Sequence, residues 1–426
     1  MSSPNSPAAP SPASPSTPAP APATETLPPR VVRRSGHAGL YGVVGAVVIV
    51  VILVGVGYGT HWYGLAPAKS TAPGACPIGI TLQGDGAQIA APLMSAWTGA
   101  YFSHSGNEVN YPASGSGTGL SHFTAASIDF GVTDDPLTQA ERTDMPTQPL
   151  TLPFIGGALT IIYNLPGLTG HLNLTGALLA DIYNGTITNW NDTAIRAINP
   201  GVNLPSVTIF TVHRSDAAGT TYVLSDFLSQ SSAYWAANVG KGILISFPKA
   251  PAQTAVKGNS LVISTVSSTP DSIGYSDLTD VLASASPPQY AAIENPAAHY
   301  IVPTLANTLS AIVDKVQSMA KIPSSTGDWF NVSMVNANGS SDYPIATFLY
   351  MYVYQATDKG FSPTLEKSQV LVQWLDWTLS TTAQGLANES QPTQLYYAAL
   401  PAAILAVDQA GIQTMTFNGA AIPACT

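Results

Sequence analysis

Apolar and polar positions alternate along the chain from residue 80 onward in a way that predicts strands and helices in turn. Short apolar runs predict strands at 80–82, 109–111, 128–132, 159–163, 207–212, 261–265 and 345–354. Amphipathic stretches predict helices at 91–102, 120–126, 175–183, 220–229 and 365–378. Alternation of this kind is typical of an α/β fold built on a parallel sheet.

One earlier segment differs because it is apolar on every face. Residues 40–58 carry no formal charge, and a run of about 20 such residues is needed to cross a bilayer. Arg30, Arg33 and Arg34 precede it, so we predict a transmembrane helix at 39–59 with a cytoplasmic N-terminal side. A cleaved signal peptide and a buried core helix are the alternatives. The run is longer than the roughly 7–15 apolar residues usual in a signal peptide.

The composition divides the rest of the chain. Residues 1–38, dominated by Pro, Ala and Ser, predict a disordered cytoplasmic tail, and 60–75 predict a linker. The remainder is long enough for two domains and is expected to be extracytoplasmic. Asn-x-Ser/Thr triplets in it leave glycosylation open.

Charge and cysteine content narrow the function. Only 9% of the 426 residues are charged and the formal net charge is −10, which excludes a broad basic surface for nucleic acid. Any bound anion must therefore be held locally. Low charge also suits an acidic habitat, where carboxylates are protonated.

Cys76 and Cys425 bracket the exported region, so they predict a disulfide, with two free thiols as the alternative.

Four loops place small or polar residues at strand ends or helix starts, where an α/β sheet binds ligands. They are 84–89, 114–119, 132–135 and 213–221. Arg214 lies in the last loop, and a guanidinium is the natural partner of a tetrahedral oxyanion. Asp216 is placed to orient it, although a surface ion pair is the alternative. The loop at 114–119 can equally be a flexible turn when considered alone.

Considered together, these loops resemble the periplasmic phosphate-binding proteins of phosphate ABC importers. The likeness spans residues 80–415 and is carried by 111–119, 128–137, 152–157, 181–190, 199–201 and 213–221. It implies a two-lobed α/β periplasmic-binding-protein fold of type II. The first lobe would comprise 76–156 and 303–426, and the second 157–302. The chain would cross between the lobes at Gly156 and Gly157. The oligomeric state stays open, although proteins of the family are usually monomers.

The resemblance also implies a set of ligand-binding residues. Ser116 would donate its hydroxyl and backbone N–H, Arg214 would supply the cation held by Asp216, and Gly219 and Thr220 would cap the anion. Asp134 would accept a hydrogen bond from the ligand. A carboxylate beside an anion is repulsive unless the ligand carries a proton, which phosphate does and sulfate near neutral pH does not.

Three positions depart from the family pattern. Gln88 and Ile89 stand where Thr-Phe is usual, and Ala218 stands where a Ser is usual. Backbone N–H groups at Ile89, Ala218 and Gly219 survive these changes, and the Gln88 amide can replace one hydroxyl. Each lost donor to a charged acceptor costs on the order of 1–3 kcal/mol, so we expect weaker phosphate binding or another oxyanion, such as an organic phosphate.

The expected function is capture of inorganic phosphate and its delivery to the permease subunits of an ABC importer, without a cofactor or metal. A membrane-anchored sensor or binding module for another oxyanion is the alternative. An enzyme such as a phosphatase is disfavoured because no Gly-x-Ser-x-Gly motif with a following His and no metal-binding His spacing is present. His213 is interpreted as structural rather than as a general base.

Overall fold

The computed structural model describes residues 75–387 and 395–425. The predicted tail, the predicted transmembrane helix and all but the last residue of the predicted linker lie outside the described residues. Among the helices that the structure does describe, none combines the length and apolar character needed to cross a bilayer.

Helices and strands alternate as the sequence pattern predicts. The helices are α1 (Ala91–Ser105), α2 (Ser116–Thr124), α3 (Gln139–Asp144), α4 (Gly176–Tyr183), α5 (Thr193–Ala197), α6 (Gly219–Ser231), α7 (Ala233–Asn238), α8 (Asn259–Ser268), α9 (Leu278–Ala283), α10 (Leu305–Ser318), α11 (Leu365–Thr378), α12 (Thr381–Leu386) and α13 (Ala402–Ile412). The strands are β1 (Thr81–Gly86), β2 (Glu108–Asn110), β3 (Phe130–Thr133), β4 (Pro149–Asn164), β5 (Asn173–Leu174), β6 (Phe210–Arg214), β7 (Gln253–Val256), β8 (Ser272–Asp277), β9 (Gln289–Tyr290), β10 (Ala292–Glu294), β11 (Tyr300–Ile301), β12 (Ala346–Tyr354), β13 (Thr416–Phe417) and β14 (Ala420–Ala421).

The main sheet is mixed, so the prediction of a parallel sheet was wrong. Its strand order is β2-β1-β3-β12-β4-β8-β6-β7, with β9 paired to β4. The outer pairs β1–β2, β1–β3, β6–β7 and β6–β8 are parallel, whereas β12 and β4 run antiparallel to their neighbours. The two long central strands are apolar and almost fully buried. A run of that kind gives no sign of its direction.

Strand β4 joins the two halves of the sheet. Its residues up to Ala158 pair with β12, and from Leu159 onward they pair with β8. Gly156 lies just before this change, and a Cβ there would come within 2.1 Å of the Ile312 Cδ1 atom. A side chain at this position would therefore have to displace Ile312 of helix α10, which packs on the crossing strand. Each half of the sheet carries its own helices and its own hydrophobic core, which makes two lobes.

Part of the range 303–426, which was predicted to lie wholly in the first lobe, packs on the core of the second lobe. Val335, Tyr343 and Ile345 belong to that core. The Tyr343 hydroxyl donates to the Leu159 carbonyl at 2.7 Å, and the Leu159 amide donates to Ile345 at 3.0 Å. The segment before β12 thus contacts the second lobe before the chain re-enters the first.

One predicted strand, 261–265, is wrong, because these residues form the middle of helix α8. Val262, Ile263 and Val266 lie on one face of that helix and pack with Ile162 and Val212 of the sheet. Three buried positions at spacings of one and three fit a helix better than a strand.

The predicted disulfide is confirmed. Cys76 and Cys425 are bonded with their Cα atoms 4.6 Å apart, and they enclose a sequence separation of 349 residues. The bond ties the start of the first lobe to the C-terminal end of the described chain.

Candidate anion-binding site

The four loops singled out from the sequence meet in one cavity between the lobes. The first lobe contributes residues that follow β1 and β3 and open α2, and the second contributes the end of β6 and the starts of α6 and α8. Its lining residues are Gln88, Ile89, Gly115, Ser116, Asp134, Arg214, Ala218, Gly219, Thr220 and Asn259. Asp216 stands behind Arg214 rather than in the lining.

Arg214 is held rigidly at the end of β6. Its Nε and Nη2 atoms donate to the two oxygens of Asp216 at 2.7 and 2.6 Å, and only 2% of its side chain is exposed. Burial by itself would raise the pKa of Asp216, but the hydrogen bonds and charge of Arg214 outweigh it and lower that pKa. The pair therefore stays ionised, and the guanidinium is fixed as a buried cation.

The opposite wall carries Asp134, which follows β3. Its Oδ1 atom accepts from the Ser116 hydroxyl at 3.2 Å, whereas its buried Oδ2 atom has no hydrogen-bond partner among the described residues. Burial raises the pKa of Asp134 to about 6, against the smaller opposing effects of Ser116 and Arg214. A buried acceptor without a partner is costly unless something in the cavity satisfies it.

The N-terminal ends of two helices supply hydrogen-bond donors to the same cavity. The backbone amides of Ser116 and Thr220, in the first turns of α2 and α6, make no hydrogen bond within the described residues. Unpaired first-turn amides together with the positive end of the helix dipole favour an anion. The Gly219 amide is already used, since it donates to the Ser116 hydroxyl at 3.1 Å.

The positions that depart from the family pattern behave differently from one another. The Ala218 amide, which was expected to survive as a donor, is instead used by the Ile243 carbonyl at 2.8 Å. Ile89 is buried, and its carbonyl accepts from the Tyr397 hydroxyl at 2.5 Å. Gln88 accepts the backbone N–H of Asn259 through Oε1 at 3.0 Å. The Nε2 group of Gln88 is thereby left for the cavity.

Two lining residues were not among the predicted site residues: Gly115, which lies in one of the four loops, and Asn259, which lies outside all of them. The Asn259 Oδ1 atom accepts from Arg214 Nη1 at 2.5 Å, and its Nδ2 atom donates to Asp277 at 2.6 Å and to Asp280 at 3.1 Å. Burial and the nearby Asp280 raise the pKa of Asp277 well above its usual value. The sequence signal was Gly258-Asn259 directly after β7, and the wrong strand at 261–265 hid the helix start there.

His213 lies outside the cavity, although it is adjacent to Arg214 in the sequence. Its ring stacks on Phe247 with centroids 4.2 Å apart, and burial lowers its pKa. It is absent from the cavity lining, which agrees with its interpretation as a structural residue.

The fold and the cavity together define a two-lobed solute-binding protein. A sequence profile described as the PBP superfamily domain matches residues 65–382. The chain therefore belongs to the PBP superfamily.

Similarity to individual proteins narrows the family. The phosphate-binding protein PstS of Xylella fastidiosa strain 9a5c is 33% identical over 323 residues, which cover 76% of this chain and 82% of that protein. The phosphate-binding protein PstS of Pasteurella multocida is 32% identical over 335 residues, which cover 78% and 90%. Within the superfamily the chain belongs to the PstS phosphate-binding proteins, which confirms the resemblance seen in the loops.

A solved structure supports the fold independently. The high-affinity periplasmic phosphate-binding protein PfluDING, solved with bound phosphate, matches with a TM-score of 0.59. The match covers 78% of this chain and 93% of that chain, at 19% identity. At this identity the likeness concerns the fold, and it agrees with the predicted two-lobed α/β architecture.

Proposed function

We propose that the cavity between the lobes captures inorganic phosphate and that the protein passes it to the permease subunits of an ABC importer. The observation that carries the proposal is the unpartnered Asp134 Oδ2 atom in the same cavity as the fixed Arg214 guanidinium. Hydrogen phosphate and dihydrogen phosphate satisfy both, because each carries negative charge for the arginine and a proton for the carboxylate. Membership of the PstS family supports the same ligand.

The proposed ligand set follows from the donors left unused. The donors that face the ligand from both lobes are the remaining Nη2 hydrogen of Arg214, the amides of Ile89, Ser116 and Thr220, and the Gln88 Nε2 group. Arg214 Nη1 already donates to Thr220 and Asn259. Asp216 holds Arg214, while Ala218 and Gly219 shape the walls. When phosphate enters, the Ser116 hydroxyl turns from Asp134 to a phosphate oxygen. No step in this role makes or breaks a covalent bond, so the protein acts as a binding protein and not as an enzyme.

The transport step requires that the lobes separate and close. We place the crossing within β4 after Ala158 and the second crossing before β12, so both hinge strands lie side by side in the sheet. Anchoring by the predicted helix at 39–59 would keep the binding protein at the membrane, with 76–426 outside.

Calorimetry tests this function. The full-length chain in detergent is titrated with phosphate and with sulfate at about pH 7 and about pH 4, together with Asp134→Asn and the exposed control Asp144→Asn. We expect phosphate to bind at both pH values and sulfate to be rejected at about pH 7, where Asp134 is ionised. Sulfate should be admitted at about pH 4, because the pKa of Asp134 is raised to about 6 and its protonated carboxyl group can donate, and Asp134→Asn should admit sulfate at both pH values because an amide can also donate. Absence of phosphate binding at both pH values would overturn the proposal and favour another oxyanion or a sensing role.

A further inference from the structure

Two hydrogen bonds join side chains of the first lobe to helix starts of the second, one between Ser116 and Gly219 and the other beside the anion site. Gln88 lies in the short 3₁₀ turn Gln88–Ala90 that follows β1, and Asn259 is the first residue of α8. The Asn259 backbone N–H donates to the Gln88 Oε1 atom at 3.0 Å. A Cβ atom built on Gly258, whose φ is +85°, would lie 3.2 Å from that Gln88 oxygen.

The same residue is bonded to the cation of the site. Only 2% of Asn259 is exposed. Its side-chain amide has a single workable orientation, because Asp277 and Asp280 require the NH₂ group and Arg214 requires the oxygen. Asn259 thus contacts the opposite lobe through its main chain and Arg214 through its side chain.

We infer that Asn259 is a positioning residue that couples closure of the lobes to the orientation of Arg214, with the Gln88–Asn259 hydrogen bond as the closure latch. The part of this inference that concerns the anion rests on the proposed function. Opening of the lobes returns the Asn259 N–H to water, whereas closure pairs it with an oxygen at the positive end of α8. The latch also turns the Gln88 Nε2 group toward the cavity.

The latch has a direct test that needs no ligand. Hydrogen exchange of the Asn259 amide is measured in the full-length chain and in Gln88→Ala, both free of phosphate. We expect exchange to be faster in Gln88→Ala by roughly 2–10-fold, which corresponds to one net hydrogen bond. Equal exchange rates in the two proteins would overturn the latch.

A matched pair of variants separates the latch from the other roles of both residues. Asn259→Ala and Asn259→Pro both lack the side chain, but only the proline lacks the N–H. Proline is well tolerated at the first position of a helix, and the ψ of 155° at Gly258 before it lies in the range that a pre-proline residue adopts. Any folding defect from loss of the Asn259 side chain is therefore common to both.

Each variant is combined with Gln88→Ala, and dissociation of radiolabelled inorganic phosphate is followed after a chase with unlabelled phosphate. Gln88→Ala should raise the dissociation rate in both backgrounds. The increase should be roughly 2–10-fold larger in Asn259→Ala, which keeps the N–H that bonds to Gln88, than in Asn259→Pro, which lacks it. The same increase in both backgrounds would overturn the latch.

Coupling to the arginine is tested with Asn259→Ala and Arg214→Lys. We expect Asn259→Ala to weaken phosphate binding by about 10-fold beside Arg214 and by much less beside Lys, since a lysine has one nitrogen and cannot be oriented by Asp216 and Asn259 together as the planar guanidinium is. Equal losses in both backgrounds would assign Asn259 a merely structural role. If the unsubstituted chain bound no phosphate, the proposed function would fail, while the hydrogen-exchange result would still decide the latch.

Discussion

The carboxyl group of Asp134 lies directly against the Cα atom of Gly219, across the cleft between the lobes. A Cβ built on Gly219 would overlap the Asp134 carboxyl group, with 2.0 Å to its Cγ atom and 2.7 Å to Oδ2. Asp134 follows a strand of the first lobe and Gly219 opens a helix of the second. Closure of the lobes therefore depends on the absence of a side chain at one position.

Gly219→Ala tests this dependence. The added methyl group must displace the buried Asp134 carboxyl group or hold the lobes apart. We expect phosphate affinity to fall at least about 100-fold, because two or more charge-assisted hydrogen bonds to the ligand are lost. Thermal stability should change little, since each lobe keeps its own core. Calorimetric titration and thermal unfolding measure the two effects.

Gly99→Ala is the matched control for that variant. Gly99 lies within α1, and nothing stands within 4 Å of its Cβ position. We expect unchanged phosphate affinity and a gain of about 0.5–1 kcal/mol in the free energy of unfolding, because alanine favours the helix. Full affinity in Gly219→Ala would show that the lobes do not approach as closely as described.

Arg214→Lys tests the fixed guanidinium. Lysine keeps the charge but loses the paired bonds to Asp216 and the bond to Asn259. We expect phosphate affinity to fall roughly 10–100-fold, which corresponds to one charge-assisted bond with its planar geometry. Calorimetry on Arg196→Lys, at an exposed arginine of α5, provides the control and should show no change. Equal affinities for Arg214→Lys and the unsubstituted chain would contradict a direct role for Arg214.

Buried carboxyl groups predict that the fold is most stable in acid. Burial, supported by the nearby charges of Asp134 and Glu141, raises the pKa of Asp135 to about 8. An aspartate in an unfolded chain titrates near about 3.9. The folded state thus holds a proton that the unfolded state releases. This stabilisation is complete below about pH 4 and is lost as the pH rises to about 8.

We therefore expect the melting temperature of the phosphate-free protein to decrease between pH 5 and pH 9. Asn at position 135 mimics the protonated carboxyl group, so Asp135→Asn should reduce that decrease by on the order of 5 °C. Differential scanning calorimetry at about pH 5, 7 and 9 measures it, and the exposed Asp144→Asn should behave like the unsubstituted chain. A melting temperature that rises with pH would refute the assignment.

Small and polar residues at strand ends and helix starts singled out the four loops and Arg214 in the sequence, whereas the roles of Ser116 and Asp134 were implied by the resemblance to the phosphate-binding family. Ser116, Asp134 and Arg214 each follow a strand end or open a helix, and their loops are short, so the topology leaves them few places to lie. Asn259 escaped prediction because the neighbouring stretch 261–265 contains three β-branched residues, Val262, Ile263 and Thr265, which favour a strand. Their helical structure comes from packing on the sheet, a tertiary effect that local propensity does not report.

The central strands show the same limit. β4 and β12 are apolar at nearly every position, so nothing in their pattern told parallel from antiparallel pairing. The hydrogen-bond partner of Gln88 could not be predicted from the sequence either, because Asn259 lies 171 residues away in the chain. Contacts between the lobes depend on how two separately folded halves meet, which no local pattern records.

The disulfide gives the last prediction. Because Cys76 and Cys425 are 349 residues apart, the bond restricts almost the whole exported chain in its unfolded state. The double variant Cys76→Ser/Cys425→Ser should lose about 2–5 kcal/mol of the free energy of unfolding in urea. Neither cysteine lines the cavity, so phosphate affinity at 25 °C should stay within about 2-fold. A reductant should destabilise the unsubstituted chain to the same extent and leave the double variant unaffected. A variant that kept its stability but lost phosphate binding would show instead that the bond acts on the site.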